Sequence, residues 1–327
     1  HVAGGIGPFS FTSYADAKEY AVAIKASIQA GTMPPWLPSS DCNEYLDDRS
    51  LSEAQIDVLT RWVDAGSPEG NAADAAPPLE RVDSRALSRV DLELGLTEPY
   101  EMRIEPDDYR CFVLDWPEAE TSFVTGFGAL PGNAAVVHHV IAFLATPGQV
   151  ANAQALDDAE SGPGYTCYGG PGFAGGWIGS EGTGIRVEPG SKIVMQVHYN
   201  SLVAGKQPDQ TRLQFKIDPS VNKEAKLQPW TNPQWLQGDT MAIPPASSDV
   251  THGWAQDPTA FFSGGQPITI HSAFLHMHQL GKTARLAIER AGGGETCLLD
   301  IPAWNFHWQG SYALKAPAVL RSGDKLS

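Results

Sequence analysis

The sequence predicts a mainly β protein, with two antiparallel β-sandwich, jelly-roll-like domains preceded by a small α-helical domain. Three observations carry this. Apolar residues in the first ~70 positions recur at three-to-four spacing, the signature of helices. After about residue 93 the period drops to 2, in many short β-rich runs separated by Gly, Pro, Asn and Asp, with no helix-length pattern among them. Those later runs span roughly 230 residues, long for one sandwich and suited to two.

The elements follow in order. Ser13 can cap a helix running through Ala15, Tyr20, Ile24 and Ile28 to Gly31. Ser52 with Gln55 makes a capping box for a second helix, whose stripe is Ile56, Leu59, Trp62 and Val63 and which Gly66 ends. Between them "GTMPPWLP", 31–38, is stiffened by consecutive prolines. These elements form a helical domain at 1–70. Residues 67–92 are rich in Ala, Pro, Asp and Ser, which places a linker at 71–95. The runs "YEMRI", "CFVLDW", "SFVTGF", "AVVHHVIAFLA", "KIVMQVHYN" and "LQFKI" then fill a first sandwich at 96–217. "PITIHSAFLHMH" and "ARLAIER" belong to a second at 218–327, with the seam in "DPSVNKEAKLQP", 218–229. "GPGYTCYGGPGFAGG" and "GGWIGSEGTG" read as loops, and the second lacks the Lys and Ser/Thr of a phosphate loop.

Lys plus Arg number 22 against 38 Asp plus Glu, a net charge of -16, which argues against a nucleic-acid partner. No apolar run approaches bilayer-spanning length, so a soluble chain is expected. The abrupt start at His1 and end at Ser327 suggest a piece of a longer protein. Cys42, Cys111, Cys167 and Cys297 include no C-x-x-C pair, so a thiolate zinc site is not expected. Disulfides in an oxidising compartment, periplasmic or secreted, fit them, with the pairing left open.

Five of the nine histidines fall in three strand-like runs: His138 and His139, His198, and His276 and His278. Positions i and i+2 of a strand share a face, so His276 and His278 can chelate one metal. His271, Leu275 and Met277 then point the other way, His271 as a core or supporting residue. His198 has no partner nearby in sequence, and the adjacent pair is its natural complement, since three neutral imidazoles suit copper or zinc. Neighbours on a strand point to opposite faces, so His138 and His139 converge only if the strand twists or the rings use different nitrogens.

The segments "VVHHVIAFL", "RVEPGSKIVMQVHYN" and "HSAFLHMHQLGK" resemble, in order and spacing, the copper type II ascorbate-dependent monooxygenases, the family of peptidylglycine α-hydroxylating and dopamine β-monooxygenases. The resemblance covers roughly 96–327 and implies two β-sandwich domains with two copper ions. It implies that His138, His139 and His198 hold an electron-transfer copper, and that His276 and His278 hold a catalytic copper where O2 is activated. In that family a Met from a "DEMC"-like segment completes the second site; none of Met33, Met102, Met195, Met241 and Met277 is in the matching position, so either that segment lies beyond Ser327 or the site is altered. Phe274 stands where the peptide hydroxylase has its carboxylate-binding Arg, so a hydrophobic or aromatic small molecule is the expected substrate.

Residues 1–70 resemble part of a cytochrome c-like domain. "HVAGG" matches the tail of a C-x-x-C-H attachment and "TMPPW" the axial-Met segment, which implies His1 and Met33 as ligands of a haem c iron. The expectation is a copper-dependent monooxygenase that hydroxylates a C–H bond of a small organic substrate with O2. Electrons would pass through haem and the three-histidine site from a donor protein or from an external reductant such as ascorbate. Two alternatives are a non-enzymatic copper- or haem-binding electron-transfer protein with an incomplete catalytic site, and a zinc hydrolase. The hydrolase lacks a Glu beside the H-x-H to act as base.

Overall fold

The computed structural model of the chain describes residues 9–74, 87–167, 182–236, 239–306 and 308–327. It is mainly β, with several antiparallel sheets. Two compact units divide it, 1–21 with 66–228 and 22–65 with 229–327. The boundary at 228/229 falls at the end of the seam read from sequence. The N-terminal helical residues, expected as a domain of their own, are split between the two units.

Helices α1 and α3 start where capping chemistry places them. Helix α1, Tyr14–Glu19, is capped by a Ser13/Asp16 box. The single helix expected as far as Gly31 is instead two, because the chain turns at Tyr20, whose ring stacks on Phe9 at 4.1 Å. Helix α2, Ala21–Gln29, follows, and Gly31 takes φ +67 beyond its end. Helix α3, Glu53–Asp64, carries the predicted Ser52/Gln55 box, and Gly66 follows at φ +82.

The first unit holds eleven strands among the described residues: β1 Leu92–Gly95, β2 Tyr100–Glu101, β3 Asp107–Asp115, β4 Ser122–Leu130, β5 Val137–Ala145, β6 Tyr165–Thr166, β7 Thr183–Val187, β8 Lys192–Asn200, β9 Pro208–Asp209, β10 Arg212–Asp218 and β11 Lys223–Glu224. One sheet runs β1-β10-β4-β7-β11 and another β5-β8-β3-β6, with β2 and β9 as a separate pair. The main core draws Val124, Val187, Leu213 and Phe215 from the first sheet and Phe112, Met195, Val197 and Tyr199 from the second. Strand β8 is buried on both faces. Its Val194 turns to a smaller core of Cys111, Phe143, Tyr165, Cys167 and Ala153. Ala153 belongs to helix α4, Val150–Asp158, where no helix was expected; its sequence VANAQALDD carries no apolar stripe, only Ala-rich helix formers. A Cys111–Cys167 disulfide ties β3 to the segment after β6.

In the second unit, β12 Ile268–Phe274 pairs with β15 Ser311–Leu320, while β13 Ala284–Glu289, β14 Glu295–Ile301 and β16 Lys325–Leu326 form a sheet ordered β14-β13-β16. Helix α5, Thr259–Phe262, is a single turn. Ile288, Leu298, Leu299, Ile301 and Leu320 make the core, and Tyr45, Trp36 and Leu37 pack into it. The same segment is fastened by a Cys42–Cys297 disulfide and by backbone bonds from Ser39 N to Asp300 O (2.8 Å), Leu46 N to Ala313 O (2.8 Å) and Lys315 N to Glu44 O (2.9 Å). Burial of these aromatic residues draws 22–65 into this unit. No helix among the described residues is long and apolar enough to cross a membrane.

Candidate metal centre

The first site lies at one end of the β5–β8–β3 ladder. On β8, His198 follows Val194 and Gln196 on the face turned away from the main core, and it is 5% exposed. On β5, Val137 pairs with Tyr199 and His139 with His198, so His138 is an extra residue in a β-bulge. A bulge rotates the backbone locally and can aim two successive side chains at one spot. Convergence of the adjacent histidines therefore comes from an irregularity of the ladder, with both using Nδ1.

The two Nδ1 atoms of His138 and His139 stand 3.2 Å apart. One ligand nitrogen from each of the three histidines lies within 4.8 Å of the others. At metal–nitrogen distances of about 2.0–2.1 Å, a 3.2 Å separation subtends about 100–105°, near tetrahedral. Burial, with the neighbouring imidazoles of His198 and His138, pushes His139 down to about 3, so it is neutral and its lone pair is free for a metal near pH 7. Three imidazoles that offer a nitrogen to one point fit copper or zinc.

Supporting residues hold the three rings. Asp107 Oδ1 accepts from His198 Nε2 at 2.8 Å and from Asn200 Nδ2 at 2.8 Å. A carboxylate only accepts, so Nε2 carries the proton and Nδ1 remains for a ligand. Desolvation works to raise the Asp107 carboxyl, but the Asn200 and His198 hydrogen bonds outweigh it and hold it below its usual value. The Tyr109 ring lies parallel to His198 at 3.9 Å. Gln196 bonds His139 and donates to Cys167 O at 3.2 Å, which joins the site to the Cys111–Cys167 bridge.

The second pair is different. Strand β12 ends at Phe274, so His276 and His278 lie just past it rather than on it. Their ring centroids are nonetheless 5.1 Å apart, and both side chains are exposed. His276 Nδ1 meets Gln309 Oε1 at 2.6 Å, so the ring donates there and keeps Nε2 for a ligand. Gln309 in turn donates to Phe306 O at 3.0 Å. Phe274 stacks toward His276 at 6.3 Å, and Phe306 meets His278 edge-on at 6.3 Å. The turn that follows is tight: a Cβ on Gly281 would come within 2.7 Å of Met277 Cβ and 3.0 Å of Trp304 Cδ1.

Among the described residues only His138, His139 and His198 form a group of three or more metal-ligating His, Cys, Asp or Glu. His271 sits at a bulge of β12 between Ile270 and Ser272. Of the residues assigned to haem, His1 lies outside the described residues, and Met33 is half-buried before a cis Pro34. Of the segment 162–176 read as loop, Tyr165–Thr166 form β6, and 168–176 lie outside the described residues. Asp107, Asn200, Tyr109 and Gln309 were not singled out from the sequence. Asp107 is 91 residues from His198, and only strand pairing brings them together.

No protein-family model matches the chain, and none of the curated proteins compared with it matches either.

Proposed function

We propose that this chain is a copper-dependent monooxygenase that hydroxylates a C–H bond of a small organic substrate with O2. On this reading the units are two β-sandwich domains, each carrying one site, in a periplasmic or secreted protein. The observation that carries it is the convergence of His138, His139 and His198, three residues of the motifs that resemble the monooxygenase family, within 4.8 Å. Copper would supply one-electron storage at those three histidines and oxygen activation at His276 and His278. The protein's own part is to orient the imidazoles: Asp107 and Gln309 each accept a hydrogen bond from the proton-bearing nitrogen of one ligand. Phe274 and Phe306 beside the pair give a substrate apolar surface, in keeping with a hydrophobic or aromatic molecule. Two disulfides fit an oxidising compartment.

A second reading is a copper-binding electron-transfer protein. It is favoured by the exposure of His276 and His278 and by the lack, among the described residues, of a third His, Cys, Asp or Glu beside them. Copper titration followed by electron paramagnetic resonance and oxygen uptake separates the two. The monooxygenase binds two copper ions and consumes O2 with ascorbate, and H278A abolishes the uptake while the first copper stays. One bound copper and no uptake supports the electron-transfer protein.

A further inference from the structure

In each candidate site a histidine donates to an identified acceptor, and the acceptors of His198 and His276 differ in charge; in the first site Gln196 also bonds His139. Behind His198 stands a carboxylate, Asp107; behind His276 stands a neutral amide, Gln309. Asp107 is fixed in this role, because the same Oδ1 takes a second bond from Asn200 Nδ2 at 2.8 Å. Asn200 is itself tied down, its backbone N–H to Val136 O at 2.8 Å and its Oδ1 accepting from Leu202 N at 3.0 Å. Asn200 and Asp107 face each other across the β3–β8 ladder, next to the His198–Tyr109 pair. The negative charge thus sits one imidazole away from the three ligand nitrogens, on a rigid strand scaffold.

Resting on the copper reading above, we infer that Asp107 is the positioning residue that biases the three-histidine site toward the dipositive ion. A carboxylate hydrogen-bonded to a ligand imidazole makes that ring a stronger donor and stabilises a 2+ charge more than a 1+ charge. Gln309 accepts from its ring but adds no charge. The Asp107 charge therefore lowers the reduction potential of the first site, which favours it as an electron donor. The half-exposure of Asp107 moderates the effect without removing it: its side chain is 43% accessible, while His198 beneath it is 7%.

The test uses the full chain carrying H276A and H278A, so that copper alone, titrated in both oxidation states, reports only the first site. D107N keeps the shape and an acceptor oxygen but removes the charge; D107A removes both and is read only if its metal-free melting temperature matches the parent. D107A is expected to weaken Cu(II) binding about 10- to 100-fold. D107N is expected to lower the Cu(II) affinity by a larger factor than the Cu(I) affinity, and so to raise the midpoint potential. Unchanged binding in both variants overturns the inference alone. A loss that is equal for Cu(I) and Cu(II) in D107N overturns the charge role. A parent chain that holds no copper at all overturns the monooxygenase reading and this inference with it.

Discussion

His139 stands directly opposite His198 across β5 and β8, while two positions earlier Val137 stands opposite Tyr199, only one residue later than His198. The residue left over in that mismatch is His138, and its imidazole joins the other two. One extra residue in a strand thus converts a buried ladder into a three-nitrogen cluster.

Because His138 is the residue at which the β5–β8 register shifts, H138A should remove a ligand while leaving the sheet intact. The expected result is the loss of one copper per chain in a metal-content assay, with metal-free stability changed by less than about 1 kcal/mol in urea. A large stability loss would show that the bulge depends on the imidazole itself.

Gln309 should matter to the second site alone. In a chain carrying H138A and H139A, Q309A is expected to weaken copper binding at His276 and His278 about tenfold, and Q309E to restore it, since a carboxylate also accepts from His276 Nδ1. Isothermal titration of the two variants reads this directly. G281A should act in the same direction by forcing Met277 and Trp304 apart.

Asp324 is 6% exposed and accepts from Ala291 N and Arg321 N, each at 3.0 Å, and from Arg290 Nη1 at 2.8 Å. These bonds, with Ala291 foremost, hold its carboxyl below the ordinary 3.8. A depressed folded value means that its contribution is complete above the unfolded value and is lost as pH falls through the folded one. The urea midpoint should therefore drop as pH goes from about 5 downward. D324N should cost about 1–3 kcal/mol at pH 7 and flatten that acid slope.

The Cys42–Cys297 bridge spans 255 residues of sequence. Replacing both cysteines with Ala should cost about 2–5 kcal/mol and lower the stability of the second unit. The same change at Cys111 and Cys167 should instead affect the first unit. Trp fluorescence during denaturation, compared between the two double variants, distinguishes them.

Much of this was legible locally. The Ser52/Gln55 box, the period-2 runs that became β3, β4, β5, β8, β10, β12 and β13, and the grouping of His198 with an adjacent pair all follow from spacing and residue type. What escaped depends on tertiary partners. The bulge at His138 is set by the register of β8, and Asp107 reaches His198 only because β3 pairs with β8. Helix α4 forms on Ala-rich propensity and buries only Ala153, so it leaves no apolar stripe to read. The end of β12 at Phe274 moved the H-x-H off the strand whose alternation had placed it. The docking of Trp36 and Tyr45 against β14 and β15 residues is likewise invisible without the partner strands.

The division of the second unit into 22–65 and 229–327 has a consequence for biosynthesis. A ribosome makes Trp36, Leu37, Cys42 and Tyr45 long before it makes the strands that bury them, and residues 66–228 emerge in between. Throughout that interval Cys42 is a reactive thiol, and Cys111 and Cys167 are complete as a pair before Cys297 exists. Premature oxidation of Cys42 with either of them would trap the chain. Correct assembly therefore calls for delayed oxidation, or for an isomerase that can undo the wrong bridge, and yield on recombinant expression should rise with that supply.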